Sequence, residues 1–223
     1  WASFQEIYQM EPEMPEVMAG TCGENVSWSI DPDLSILTIE GTGAMTNFDY
    51  RNDEKAPWAR YRSYFQHVVV GQGVTTIGDY AFSKSGLIEI EFPTSESLIP
   101  LTLGTNIFED CLSLRTLDIG LTCTTITESM CRGCVKLDTL TFGGNLAYIN
   151  NYAFYGCSSL TQVQIPASVE SLGTLVFGDC PAITAFNVDA ENENYKSEDG
   201  VLMDRYGNLL IQYPMAKSNS TYD

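Results

Sequence analysis

The feature that most constrains this chain is a block of about 23 residues that returns five times in register. It reads IGDYAFSKSGLIEIEFP from Ile77, LGTNIFEDCLSLRTLDIG from Leu103 and ITESMCRGCVKLDTLTFG from Ile126. It continues as INNYAFYGCSSLTQVQIP from Ile149 and LGTLVFGDCPAITAFNVD from Leu172. One aromatic slot falls at Phe82, Phe108, Cys131, Phe154 and Phe177, in steps of 26, 23, 23 and 23, so the first step carries an insertion around Thr94–Pro100. A unit this small cannot bury its own apolar side chains. Successive units must stack as coils that share one core, each touching only its neighbours.

Each block also predicts its own local structure. Leu160, Val163 and Ile165 end a segment in which apolar and polar residues alternate, the period of a half-buried strand. The preceding Ala-Phe-x-x-Cys stretch has room for one helical turn. Apolar pairs such as Val74 and Ile77, or Val169 and Leu172, predict a second brief strand on the opposite side. The expected fold class is therefore α/β and β-rich: a solenoid of ~23-residue coils with parallel strands and short helical turns.

The repeat fails at both ends. Between Gly20 and Gly71 the pattern predicts a hairpin, Val26–Ile30 and Ser35–Glu40 joined by Asp31-Pro32-Asp33, then a short helix from Pro57-Trp58. Trp28, Trp58, Tyr61 and Phe65 are large enough to cover the open edge of the first coil. Near the other end, Val201–Met203 and Leu209–Tyr213 flank Gly207-Asn208 and predict a hairpin. The expected division is an N-terminal tail over 1–19, a capping module over 20–72, five coils over 73–188, and a C-terminal hairpin and tail over 189–223.

Several segments resemble one family. IGDYAF, NNYAFYGCSSLTQVQIP and EDGVLMDRYGNLLIQYP resemble the BspA-like leucine-rich-repeat proteins of bacterial cell surfaces. GTCGENVSWSIDPDLSILTIEGTGAM followed by APWARY is similar to the N-terminal module that precedes such repeats in many anaerobic gut bacteria. The likeness spans about residues 20–215, departing at Cys131 in an aromatic slot and at a missing residue near Ser85-Gly86. It implies a leucine-rich-repeat solenoid, a secreted or surface-attached protein used in adhesion or host interaction, and no catalytic residues to carry over.

Charge narrows the partners. The chain has 29 Asp and Glu against 11 Lys and Arg, a net charge of -18, so it should repel nucleic acid and anionic headgroups. No apolar run reaches the ~18 residues of a membrane span, so no membrane insertion is expected. The chain opens at Trp1 without an initiator Met or a signal segment, which predicts a processed or excised piece whose export signal and anchor lie outside it. The expected location is extracellular or cell-surface, and the expected state a monomer.

Seven cysteines, with Cys131-x-x-Cys134 among them, raise metal and redox chemistry. Repeat register offers a plainer account. Cys111, Cys134, Cys157 and Cys180 share one slot, Cys131 takes the aromatic slot, and Cys123 takes the slot of Leu146 and Val169. Free cysteine serves well as a small buried apolar residue, and Cys22 is expected to be buried in the cap. Neighbouring coils, about 4.8 Å apart, fall within the roughly 4.4–6.8 Å Cα window for a disulfide, but parallel Cβ vectors disfavour one. A lone histidine, His67, leaves little for a catalytic triad or a zinc site, and its expected place is exposed in the capping coil. Asp189, Glu191, Glu193, Glu198 and Asp199 match no calcium-loop pattern and read as a solvated acidic loop. No phosphate loop, dinucleotide fingerprint or nucleophile elbow is present, so no cofactor, metal or catalytic residue is expected.

The strands leave two outward columns. One is His67, Glu89, Thr116, Thr139, Gln162 and Ala185; the other is Val69, Glu91, Asp118, Thr141, Gln164 and Asn187. They suit a solvated β face equally with a recognition surface, since they lack aromatic and Arg anchors while solenoids often bind through such faces. His67, Glu89, Glu91, Thr116, Asp118, Thr139, Thr141, Gln162, Gln164 and Asn187 are thus the candidate binding residues for a protein or glycan partner. The expected function is a non-catalytic adhesion or interaction protein, with a structural spacer in a larger surface protein as the alternative.

Overall fold

In the computed structural model, the described residues are 18–51, 55–93, 100–120 and 122–217. Residues 1–17 of the tail expected over 1–19, most of the insertion near Thr94–Pro100 and the last residues from 218 lie outside them. Eighteen strands follow in order: β1 Ala19–Thr21, β2 Val26–Asp31, β3 Ile36–Gly41, β4 Gly43–Ala44, β5 His67–Val70 and β6 Val74–Ile77. Next come β7 Glu89–Glu91, β8 Thr102–Leu103, β9 Thr116–Asp118, β10 Thr125–Ile126, β11 Thr139–Thr141 and β12 Tyr148–Ile149. The last six are β13 Gln162–Ile165, β14 Ser171–Leu172, β15 Ala185–Val188, β16 Tyr195–Glu198, β17 Val201–Asp204 and β18 Leu210–Gln212.

The chain is a β-solenoid. Longer strands (β5, β7, β9, β11, β13, β15) stack along one side and short ones (β6, β8, β10, β12, β14) along the other; the ladders between them are all parallel, and none joins β7 to β9, β11 to β13 or β8 to β10. Leu87, Leu114, Leu137, Leu160 and Ile183 repeat one buried slot between them. Because each coil presents the same inward residue at the same height, burial is continuous along the axis, and every coil depends on its neighbours for cover.

The stretch around each aromatic slot turns, but not as the expected helical turn. Two residues either side of the slot the backbone is left-handed: Tyr80 and Lys84, Asn106 and Asp110, Ser129 and Gly133, Tyr152 and Gly156, Leu175 and Asp179. Such residues interrupt a helix. They also aim alternate N–H groups along the axis. Tyr80, Phe82 and Lys84 donate to the carbonyls of Thr105, Ile107 and Glu109 at 3.0, 3.0 and 2.8 Å, and the next three coils repeat the triplet. The turns are therefore a third ladder between coils, which the Ala-Phe-x-x-Cys spacing alone does not distinguish from a helix.

Ring stacking follows the same slot. Trp58 stacks on Phe82 and Phe82 on Phe108, at centroid distances of 5.7 and 5.8 Å; Phe154 stacks on Phe177 at 5.5 Å. Cys131 leaves a gap in this column. Phe142, in a slot held by Ile119 and Ile165 in the flanking coils, reaches to 5.8 Å from Phe154. A larger residue beside a smaller one keeps the local volume filled.

At the N-terminal end, β1, β2 and β3 form an antiparallel unit, and β3 pairs in parallel with β5 while β4 pairs with β6. The helix expected from Pro57 is a single 3-10 turn, Ala59–Tyr61. At the C-terminal end the structure has one strand more than the expected hairpin. β16, β17 and β18 make an antiparallel meander. Asp199 and Gly200 both have positive φ, the backbone of a tight hairpin turn, and Glu198-Asp199-Gly200-Val201 joins β16 to β17.

Candidate functional site

The two outward columns lie on the longer strands. His67 pairs with Glu89 and Val69 with Glu91 between β5 and β7. Thr116 pairs with Thr139 and Asp118 with Thr141 between β9 and β11, and Gln162 with Ala185 and Gln164 with Asn187 between β13 and β15. Glu91, Thr116, Asp118, Thr139, Thr141, Gln162 and Gln164 are exposed, whereas His67, Glu89 and Asn187 are half-buried. The inward neighbours Ile90, Leu117, Val163 and Phe186 are buried, which fixes the outward direction of the columns.

The sheet on this face is not uniform. Its ladder is continuous through β3, β5 and β7, and within the pairs β9–β11 and β13–β15, but no ladder joins β7 to β9. A hollow of about 140 Å³ straddles that interruption, lined by Glu89, Glu91, Thr116, Asp118, Thr139 and Thr141 with Ile90 and Leu117 beneath. Six of the ten candidate residues therefore meet in one place. His67 touches its edge: Nδ1 lies 2.8 Å from Oε1 of Glu89 across the strands, so it is half-buried in a pair and not the exposed lone side chain expected. Gln162, Gln164 and Asn187 continue the columns on β13 and β15, outside the hollow. Asp118 Oδ1 accepts the Gly120 N–H at 3.0 Å, which holds the carboxylate at the rim.

The thiols point the other way, into the core. All seven are free and buried. Each ladder thiol donates to the carbonyl of the aromatic-slot residue one coil earlier: Cys111 to Phe82, Cys134 to Phe108, Cys157 to Cys131 and Cys180 to Phe154, at 3.0 to 3.3 Å. Ser85 takes the same slot in the first coil, with Oγ 3.4 Å from Cys111 Sγ. Burial pushes the thiols of Cys111, Cys131 and Cys157 well up, and those of Cys123 and Cys180 to about 11, so none of these five is poised as a nucleophile. Among the described residues, no three His, Cys, Asp or Glu side chains converge as a metal cage.

The acidic segment after β15 is organised by a residue that sequence reading passed over. Asn192 is fully buried. Its Nδ2 donates to the carbonyls of Pro166 and Val169 at 2.8 and 3.0 Å, and its Oδ1 accepts the N–H groups of Asn194 and Tyr195 at 2.9 and 2.7 Å. The acids around it remain exposed, as expected of a solvated loop.

With this geometry in view, the comparisons are direct. The BspA type leucine-rich repeat region matches residues 59–194 in six copies. This chain belongs to the BspA-type leucine-rich-repeat family. Six longer strands, β5 to β15, lie in that span, whereas counting by aromatic slots gives five. No curated protein matches the chain. Solved structures do. The pneumococcal vaccine antigen PcpA is similar at 21% identity with a TM-score of 0.67, over 93% of this chain and 59% of that one. A leucine-rich repeat protein from Eubacterium ventriosum is similar at 21% identity and a TM-score of 0.61, over 92% and 53%. A leucine-rich cell surface protein from Faecalibacterium prausnitzii has 22% identity and a TM-score of 0.56, over 92% and 64%. This BspA-type chain thus spans less than two thirds of the length of each. No helix among the described residues is long and apolar enough to cross a membrane.

Proposed function

We propose that this chain is a non-catalytic recognition module of a bacterial surface protein, which holds a protein or glycan partner on its sheet face. The observation that carries this reading is the hollow between β7, β9 and β11, where six outward residues of two columns converge. A flat ladder gives a partner nothing to enter; a depression with a firm apolar floor gives it a fixed register. Glu89, Glu91 and Asp118 make the hollow acidic, and Thr116, Thr139 and Thr141 surround them with hydroxyls. The complementary feature on a partner is a Lys or Arg side chain flanked by hydrogen-bonding groups.

The test is a binding panel of extracellular-matrix proteins and host glycans against the chain and its Glu91→Lys and Asp118→Lys variants. Reversing either charge at the hollow should weaken the captured partner about tenfold or more, because like charges meeting across an interface cost several kcal/mol. If an interaction is found and both variants retain it, the sheet face is not the site. A chain that captures nothing from the panel, while a longer form of the protein does, fits the spacer reading instead.

A further inference from the structure

A second cleft lies outside the sheet face, where the N-terminal cap meets the first coil. It has a volume of about 400 Å³ and is lined by Tyr50, Lys55, Ala59, Arg60, Arg62 and Lys84. Inward it narrows against Tyr80 and the buried hydroxyls of Ser83 and Ser85. None of the candidate sheet-face residues borders it.

Its charge is anomalous for this molecule. The net charge is -18, yet four of the chain's 11 Lys and Arg line one depression. No Lys or Arg precedes Arg51, and between Lys84 and Arg115 there is none. Every cation of the first 114 residues therefore lies in this cleft or, as Arg51, beside it over the Tyr80 ring at 5.3 Å. Among the described residues, Lys55, Arg60, Arg62 and Lys84 make no ion pair with a carboxylate, whereas Arg51, Arg115, Arg132, Lys196 and Lys217 each do. Lys84 instead holds its Nζ 4.0 Å over the Tyr50 ring, and Arg60 sits 4.7 Å over Tyr61. Arg60, Arg62 and Lys84 have no acid within three residues in sequence, whereas Asp53 and Glu54 directly precede Lys55. Such a gathering repels itself and is relieved by an anion between its members.

Size and surroundings restrict that anion. The volume matches a small-molecule site, which runs to about 300–1,000 Å³, and not a protein–protein interface. An extended polyanion would have to leave the cleft across a strongly acidic surface, so its remaining charges would be repelled. A single charge on a compact polar body avoids that. Two guanidinium groups offer paired N–H donors to a carboxylate, and the Tyr50 and Tyr80 hydroxyls offer partners to a sugar's own hydroxyls.

We propose that this cleft binds a terminal acidic sugar, its carboxylate held by Arg62, Arg60 and Lys84. The experiment is calorimetric and NMR titration of the intact chain with sialyllactose, lactose, sodium sulfate at matched ionic strength, and a long heparin chain. Sialyllactose should bind saturably and lactose should not. Arg62→Gln and Lys84→Gln should each weaken sialyllactose about tenfold, the effect of losing one charge-assisted hydrogen bond. Lys136→Gln, which removes an exposed cation outside both sites, should leave it unchanged, and unaltered melting temperatures will show that the variants fold. The proposal is overturned if sialyllactose fails to bind, if both Gln variants bind it as the parent does, if sulfate binds as well as sialyllactose, or if heparin binds far better than either.

Discussion

At one end of the solenoid the first coil is covered by rings, Trp28, Trp58, Tyr61 and Phe65; at the other the last coil is covered by one buried amide, Asn192, and a three-stranded meander. Both ends face the same two demands, an apolar cross-section to hide and open backbone ladders to satisfy. The N-terminal cap meets them by imitating a coil. β3 and β4 continue the longer and shorter strand columns, and Trp58 stands where a coil would place its Phe. The C-terminal cap answers the ladders largely with side chains, beside one backbone donation from the Phe186 N–H to the Gly200 carbonyl at 2.9 Å. Ser197 Oγ accepts the Val188 N–H at 3.1 Å, the Tyr195 hydroxyl accepts the Leu172 N–H at 2.9 Å, and Asn192 closes the loop between them. One end therefore closes with rings that continue a coil's own column, and the other with buried Val201, Leu202 and Met203 joined to polar side chains that hold the open backbone.

The largest effect should come from breaking the aromatic closure. Trp58 is almost wholly buried, stacks on Phe82, lies 5.9 Å from Trp28, and donates its indole N–H to the Ala81 carbonyl at 2.9 Å. Trp58→Ala should cost about 3–5 kcal/mol, the usual range for an aromatic removed from a core. Chemical denaturation should show that loss together with early hydrogen exchange in β1 to β5. Trp58→Phe, which keeps a ring in the slot but loses the hydrogen bond and part of the indole's volume, should cost less. Equal losses in the two variants would mean that the stack is not what closes this end.

Asn192 supplies the smaller, more local break. Asn192→Ala removes two donated and two accepted hydrogen bonds, although the Pro166 carbonyl keeps the Val169 N–H and the Val169 carbonyl keeps the Asn194 amide at 3.4 Å. A cost of about 2–3 kcal/mol follows from losing several buried hydrogen bonds together. Because a solenoid passes stability only between neighbours, amide exchange should rise in β14 to β18 while β5 to β9 keep their protection. Uniform loss along the chain would contradict that picture.

The contrast also explains what was legible in the sequence. Rings announce themselves, so Trp28, Trp58, Tyr61 and Phe65 were readable as a cap from size alone. Asn192 sits among Asp189, Glu191 and Glu193, and nothing in composition separates one buried amide from exposed acids beside it. The strand β16 was passed over although Asp199-Gly200 is a hairpin signal, because the acids around it suggested solvent. Periodicity exposed the outward columns residue by residue, since alternation fixes direction. The hollow was not legible. It depends on the interruption between β7 and β9, where the step between coils is longest and the spacing irregular. The cationic cleft had a signal that went unused: the cations of the first half cluster between residues 51 and 84.

The subtlest test sets the thiols of the two ends against each other through pH. Burial raises Cys22, in the N-terminal cap, from an ordinary 9.0 to about 12, and Cys180, in the last coil, to about 11. A thiol whose folded value lies above its unfolded one binds its proton more tightly when folded. Its contribution is complete below pH 9 and is lost as pH rises towards the folded value, because the unfolded chain alone releases the proton. Tyr50, Tyr80 and Tyr148 shift the same way, through burial for the first two and through the hydrogen bond to Glu170 for Tyr148. The melting temperature should thus decline from about pH 9 upward. Cys180→Ala should flatten the decline between 9 and 11, and Cys22→Ala should flatten it up to 12. Alanine lowers stability a little at every pH, so the slope and not the height of the curve is the readout. A slope unchanged in both variants would assign the alkaline loss to the tyrosines and the other buried thiols, Cys111, Cys123, Cys131 and Cys157.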